Sequence, residues 1–138
     1  MTTLDAVKAK YPNACTFQFG DTPDLIRDLT ALVRTGRKRA TCTAVIDIEA
    51  GRETAPVPGR RDIALDAQGN PALVIETLEV RHTTWQNMTE DMALAEGEDD
   101  TLDAWRAGHR SYYTRQGIFD PEMQLIWERF FVVEDFGT

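Results

Sequence analysis

A chain of 138 residues is long enough for one compact domain with its own core and short for two. Apolar residues make up 42% and charged residues 28%, the balance of an ordinary globular domain, and no run approaches the roughly 20 apolar residues that cross a bilayer. The net charge of −8 argues against broad coating of a polyanion and leaves a small ligand or a short single-stranded segment as the easier partner, because non-specific nucleic-acid affinity comes from Lys and Arg.

In chain order, residues 3–10 read as a short helix ending before Pro12, and "CTFQFG" at 15–20 alternates as a strand does. "DTPDLIRDLTALVRTG" predicts a helix marked at both ends: Thr22 suits the N-cap, Pro23 the first helical position, and Gly36 the residue past the end. Its Leu25, Ile26, Leu29, Leu32 and Val33 share one stripe, which faces a core. "RATCTAVIDIEA" at 39–50 reads as a strand on its β-branched residues, with a loop through "PVPG" after it. "RRDIALDAQGNPALVIETLEVRH" predicts two strands about a turn containing Gly69 and Pro71. Residues 85–116 carry a helical pattern broken by the acidic "AEGEDD" at 95–100, and "MQLIWERFFVVEDF" closes the chain as a long apolar strand. The order predicts a single α+β domain over 1–138, its short strands curling into a small barrel, with a helical insert at roughly 85–116.

The opening "MTTLDAVKAKYPNAC" lacks a basic start followed by an apolar run, and Cys15 and Cys42 are too few for a disulfide framework. The expectation is a cytoplasmic protein with reduced thiols and no membrane association.

Three stretches carry candidate chemistry. In "RTGRKRATCTA", Arg34, Arg37, Lys38 and Arg39 either complement the negative end of a helix dipole or present Lys38 into a cleft, with Thr41 at the mouth of the next strand. A desolvated lysine can act as a base and activate Thr41 as a nucleophile; a charged one steadies an anion. "AEGEDD" is either an exposed connection between helices or the source of one carboxylate in a pocket. "AWRAGHRSYYTR" interleaves Trp105, Tyr112 and Tyr113 with Arg106, Arg110 and Arg115, the composition either of a nucleobase clamp or of an amphipathic helix. His82 and His109 stand alone, without the partners of a zinc site, so no metal ligand is expected.

These segments in order, "FQFGDTPDLIRDLTALVRTGRKRATCTA", "ALDAQGNPALVIETLEV", "MALAEGEDDTLDAWRAGH" and "ERFFVVED", resemble the ASCH-domain family. Its Gly-x-Lys-x-x-Thr hallmark is met by Gly36, Lys38 and Thr41, and "AEGE" followed by Trp105 sharpens the match. The resemblance implies a small PUA-like β-barrel flanked by helices, with the motif lysine in a cleft between them. One branch of the family hydrolyses the amide of N4-acetylcytidine with a lysine, a threonine and a glutamate, which correspond to Lys38, Thr41 and Glu98. Another activity is metal-dependent cleavage of single-stranded RNA, and many members are described simply as RNA-binding. The resemblance thus implies a hydrolase of a modified cytidine, a ribonuclease using Mg²⁺, or a non-catalytic RNA-binding module; outside the ribonuclease no cofactor is expected. Arg37, Lys38, Arg39, Trp105, Arg106 and Tyr113 would contact a nucleoside or short single-stranded RNA, and no protein partner is implied. The family commonly has Gly-Asp after the Pro-rich loop, where this chain has Gly59-Arg60.

Overall fold

The computed structural model describes residues 2–137. Along the chain lie α1 (Leu4–Lys10), β1 (Thr16–Phe17), α2 (Pro23–Arg34), β2 (Ala40–Ala44), α3 (Val45–Glu49), β3 (Arg61–Leu65), β4 (Pro71–Thr84), α4 (Glu90–Ala95), α5 (Leu102–Arg115) and β5 (Gln124–Asp135). The sequence signals for α2 work as read. The Thr22 hydroxyl accepts from the Leu25 N–H, Pro23 opens the helix, and Gly36 follows its end at φ +80°. The β3–β4 turn is held by Asp66, whose carboxylate accepts from the Gln68 and Asn70 N–H groups.

The five strands form one mixed sheet in the order β1-β3-β4-β5-β2. β4 and β5 are long, antiparallel and interrupted by register shifts at Val74/Ile75 and Thr77/Glu79, which bend the pair. The chain is therefore α+β with a curled sheet, but the expected barrel does not close. β1 has only two paired residues and bonds only to β3, and β2 bonds only to β5, so the two edge strands never meet.

A second correction concerns residues 39–50. The strand stops at Ala44, and "VIDIE" forms the short α3. Ala44 pairs with Leu125, one residue after the start of β5, so beyond it the chain has no partner strand left to bond. Local β-branched preference is overridden by the end of the ladder.

Helices cover both faces. Val7 and Tyr11 of α1 pack with Ile63 and Val74, whereas Leu29 and Val33 of α2 pack with Ala64, Leu73, Ile75 and Phe130. Because neighbouring strand residues face opposite ways, α1 and α2 sit on opposite sides of the sheet. A third cluster joins Met92 and Ala93 of α4 and Trp105 and Tyr113 of α5 to Ala40, Ala44, Leu125 and Trp127. This last cluster fixes the "AEGE" segment beside the start of β2. Among the described residues, no helix is long and apolar enough to cross a membrane.

Candidate active site

Past Gly36 the chain makes a tight reversal, with the Arg37 and Lys38 N–H groups both returning to the Leu32 carbonyl. The reversal points Lys38 inward while Arg37 and Arg39 stay at the surface. The "AEGE" loop docks on the same turn: Arg39 N–H donates to the Ala95 carbonyl at 2.9 Å, and Gly97 lies directly against the Arg37 and Lys38 backbone. Gly97 has φ +72°, a conformation that glycine adopts without a steric penalty.

Lys38 is 1% exposed and spends its three ammonium hydrogens inside the protein. It donates to the Ala40 carbonyl and to Glu98 Oε2, each at 2.8 Å, and to the Glu96 carbonyl at 3.3 Å. Glu96 Oε1 stands 3.7 Å from the same ammonium. Burial pushes the Lys38 amine down, but the facing Glu98 and Glu96 outweigh it, and the proton is held more tightly than on an ordinary lysine. Of the two states the sequence left open for Lys38, base or cation, this setting favours the cation.

Glu96 is equally buried and fully engaged. Its Oε2 accepts from the Trp105 indole N–H at 2.8 Å and from the Cys42 thiol at 3.3 Å, and its Oε1 lies 3.4 Å from His109 Nε2. Burial raises its pKa, yet His109, Lys38 and Trp105 together hold it below the usual carboxylate range. His109 Nδ1 sits 3.0 Å from the Trp105 carbonyl while Nε2 faces Glu96, so both ring nitrogens meet acceptors, a setting that favours the imidazolium. Burial opposes that charge, and Glu96 prevails in raising the His109 pKa. Burial, followed by Glu96, pushes the Cys42 thiol well up and keeps it protonated. Two cations and two carboxylates therefore balance in one buried network.

The network borders a cleft of about 500 Å³ that opens between the edge strands β1 and β2, with α5 along one side. Thr41, Glu96, Glu98, His109, Tyr113 and Glu128 are among its walls, and Lys38 is set behind them. Glu98 is 20% exposed, so one carboxylate spans from the hidden ammonium to the open cleft. Thr41 is half-buried, and among the described residues its hydroxyl has no hydrogen-bond partner.

Of the proposed contact residues, only Tyr113 lines this cleft. Arg37 is exposed and pairs with Asp100 at 2.9 Å, Arg39 is exposed outside the cleft, and Arg106 donates to the Gln86 carbonyl at 2.9 Å. Trp105 is fully buried, with its ring stacked on His109 at 4.1 Å, so it offers no face to a nucleobase. Helical packing wins here: Trp105, His109 and Tyr113 are spaced four residues apart and share the inward side of α5. Trp105→Phe is accordingly expected to cost about 1.5–3 kcal/mol of stability, since Glu96 loses a charge-assisted donor; urea unfolding measures it. Arg60 does reach the cleft wall, but its charge is spent on Asp62 at 3.0 Å, and Arg61 lies outside against Glu76.

Sequence reasoning passed over Glu96, His109 and Glu128. The first two had a signal in the four-residue spacing that puts His109 beside Trp105. Glu128 had one too, as the single carboxylate between Ile126 and Phe130 on a buried strand face.

The ASCH-domain family model matches residues 15–134. An ASCH domain from Lactobacillus crispatus superposes with a TM-score of 0.79 at 28% identity, covering 96% of this chain and 86% of its own. A protein from Enterococcus faecalis superposes with a TM-score of 0.80 at 30% identity and the same coverage, 96% and 86%. No curated protein matches the chain. With the family model spanning nearly the whole fold, the chain belongs to the ASCH-domain family, a family linked to RNA binding.

Proposed function

We propose that this ASCH domain binds a cytidine-like nucleoside and hydrolyses its N4-acyl amide, with Thr41 as nucleophile, Glu98 as the base that takes its proton, and Lys38 as the cation that positions Glu98. The observation that carries the reading is the Lys38–Glu98 ion pair at 2.8 Å, which sets an aimed carboxylate in the same cleft as an unpartnered Thr41 hydroxyl. Hydrolysis of an amide needs a nucleophile and a base, and Thr41 and Glu98 both line this cleft.

Charge favours a nucleoside over RNA at this site. Eight carboxylates line the cleft against three arginines and one histidine, so a chain of phosphates would be repelled from it. A nucleoside carries no phosphate, and its N4 amide N–H and ribose hydroxyls suit carboxylate acceptors. The ribonuclease reading fares less well. Glu96, Glu98 and His109 bring ligand atoms within 4.8 Å of one another, but Lys38 already pairs with both carboxylates, and Mg²⁺ prefers oxygen ligands and retained waters.

Purified protein offered N4-acetylcytidine is expected to release cytidine and acetate, unaffected by EDTA. Thr41→Val, at a half-buried site, is expected to keep its fold and lose about a thousandfold or more in kcat/KM. Turnover by Thr41→Val equal to that of the unaltered protein would sink the assignment.

A further inference from the structure

The proposed reaction leaves one proton unassigned. Glu98 takes the threonine proton, Lys38 is locked behind it, and the departing cytosine amine still needs a proton as the C–N bond breaks. A second carboxyl lies across the sheet. Glu128 of β5 stands directly opposite Thr41 of β2 in the antiparallel register, so the two side chains project to the same face, and both line the cleft. Glu128 is only 8% exposed. Its Oε2 accepts a 2.6 Å bond from the Thr77 hydroxyl, and among the described residues it has no other hydrogen-bond partner. A carboxyl oxygen so deeply buried, without a donor, and bordering a cleft beside the nucleophile is suited to exchange a proton with a ligand.

Resting on the amidohydrolase reading, we propose that Glu128 is the general acid of this site, delivering its proton to the N4 amine as the acyl group passes to Thr41. In the first half, Thr41 Oγ bonds to the acyl carbon and its proton moves to Glu98; the C–N bond then breaks, and the Glu128 proton goes to nitrogen, releasing cytidine. In the second half, water attacks the acyl-threonine ester and its proton returns to Glu128, while the Thr41–acyl bond breaks and Oγ recovers its proton from Glu98. Acetic acid leaves, and all three groups are restored.

The surroundings of Glu128 fit a proton carrier. Burial raises its pKa, the Thr77 hydroxyl lowers it, Asp62 on β3 raises it again, and Arg60 and Lys38 lower it, with a net upward result. A carboxyl that holds its proton above the ordinary range is the one placed to donate, as in paired-carboxylate enzymes generally.

Glu128→Gln keeps the shape and a hydrogen-bonding amide beside Thr77. It is expected to lose about a hundredfold in kcat with N4-acetylcytidine and to abolish the alkaline limb of the kcat–pH profile. Thr77→Val removes the donor that stabilises the ionised form, so that limb should move to higher pH, a shift that a purely structural role would not produce. A retained alkaline limb in Glu128→Gln, with the unaltered enzyme active, overturns the role of Glu128 alone. An inactive unaltered enzyme overturns the amidohydrolase reading and this role with it. Carboxyl NMR of the free protein gives a check that needs no substrate: the resonance missing in Glu128→Gln should titrate above the ordinary glutamate range, and titration at or below it overturns the proposal.

Discussion

Lys38→Ala is expected to lower the unfolding free energy by about 3–5 kcal/mol, because it removes one of the two cations that balance Glu96 and Glu98. Glu96 is 1% exposed and cannot turn to water, and the Glu96 and Ala40 carbonyls lose their donor as well. Urea unfolding at neutral pH, followed by tryptophan fluorescence, measures the loss. Activity should vanish in the same variant, but that result alone would not separate chemistry from collapse; Thr41→Val, which leaves the ion network whole, does. The pH dependence has a definite sign. Glu96 has a folded pKa below its ordinary value, so its contribution is present above the ordinary carboxylate range and fades as pH falls through the lowered one. Lys38 has a raised folded pKa, so its contribution is complete below the ordinary lysine value and fades as pH climbs past the raised one. His109 also has a raised folded pKa, so its contribution is complete below the ordinary histidine value and fades first as pH climbs past the raised one. Lys38→Ala should flatten the acid side of the stability profile.

Gly97→Ala is expected to be nearly as damaging, although it adds one methyl group. The residue has φ +72°, which alone costs a non-glycine residue about 1–3 kcal/mol. The new Cβ would also run into the Arg37 carbonyl, 2.5 Å from its carbon and 2.7 Å from Lys38 Cα, and neither backbone can step aside without opening the turn. The loop would lift, Arg39 would lose its bond to Ala95, and Glu98 would move away from Lys38. Thermal unfolding should show a drop well beyond that of Gly69→Ala, where the added Cβ meets only open space. Equal losses at the two glycines would show that backbone strain is the whole effect and that the close approach contributes nothing.

Most of the scaffold could be read from residues whose local chemistry has a single outcome. Thr22, Pro23 and Gly36 bound α2, and the Asp66–Asn70 turn separates β3 from β4, because caps and turns act within a few residues. Residues 45–49 could not be read the same way. Their β-branched side chains suggest a strand, and only the finite length of β5 ends it. At the site, Lys38, Thr41 and Glu98 were named through the family pattern, and the fold places Thr41 and Glu98 on one cleft with Lys38 bonded behind Glu98. Whether Lys38 is charged was not legible. That answer depends on Glu98 and Glu96 arriving from 60 and 58 residues away, the second bonded to a Trp105 whose aromatic ring suggested a surface role. Glu128 was hidden for a related reason: its significance lies in the strand opposite.

The unjoined edges of β1 and β2 have one more consequence. An edge strand bonded on one side keeps alternate main-chain N–H and C=O groups outside the ladder on the other, and here Thr16 and Phe17 of β1 and Thr41, Cys42 and Thr43 of β2 line the cleft. Recognition by such groups belongs to the peptide rather than to any side chain, so it survives substitution of Thr16, Phe17, Cys42 or Thr43. Alanine scanning is blind to it, and two ASCH domains with unlike cleft residues can still present the same rows of donors and acceptors.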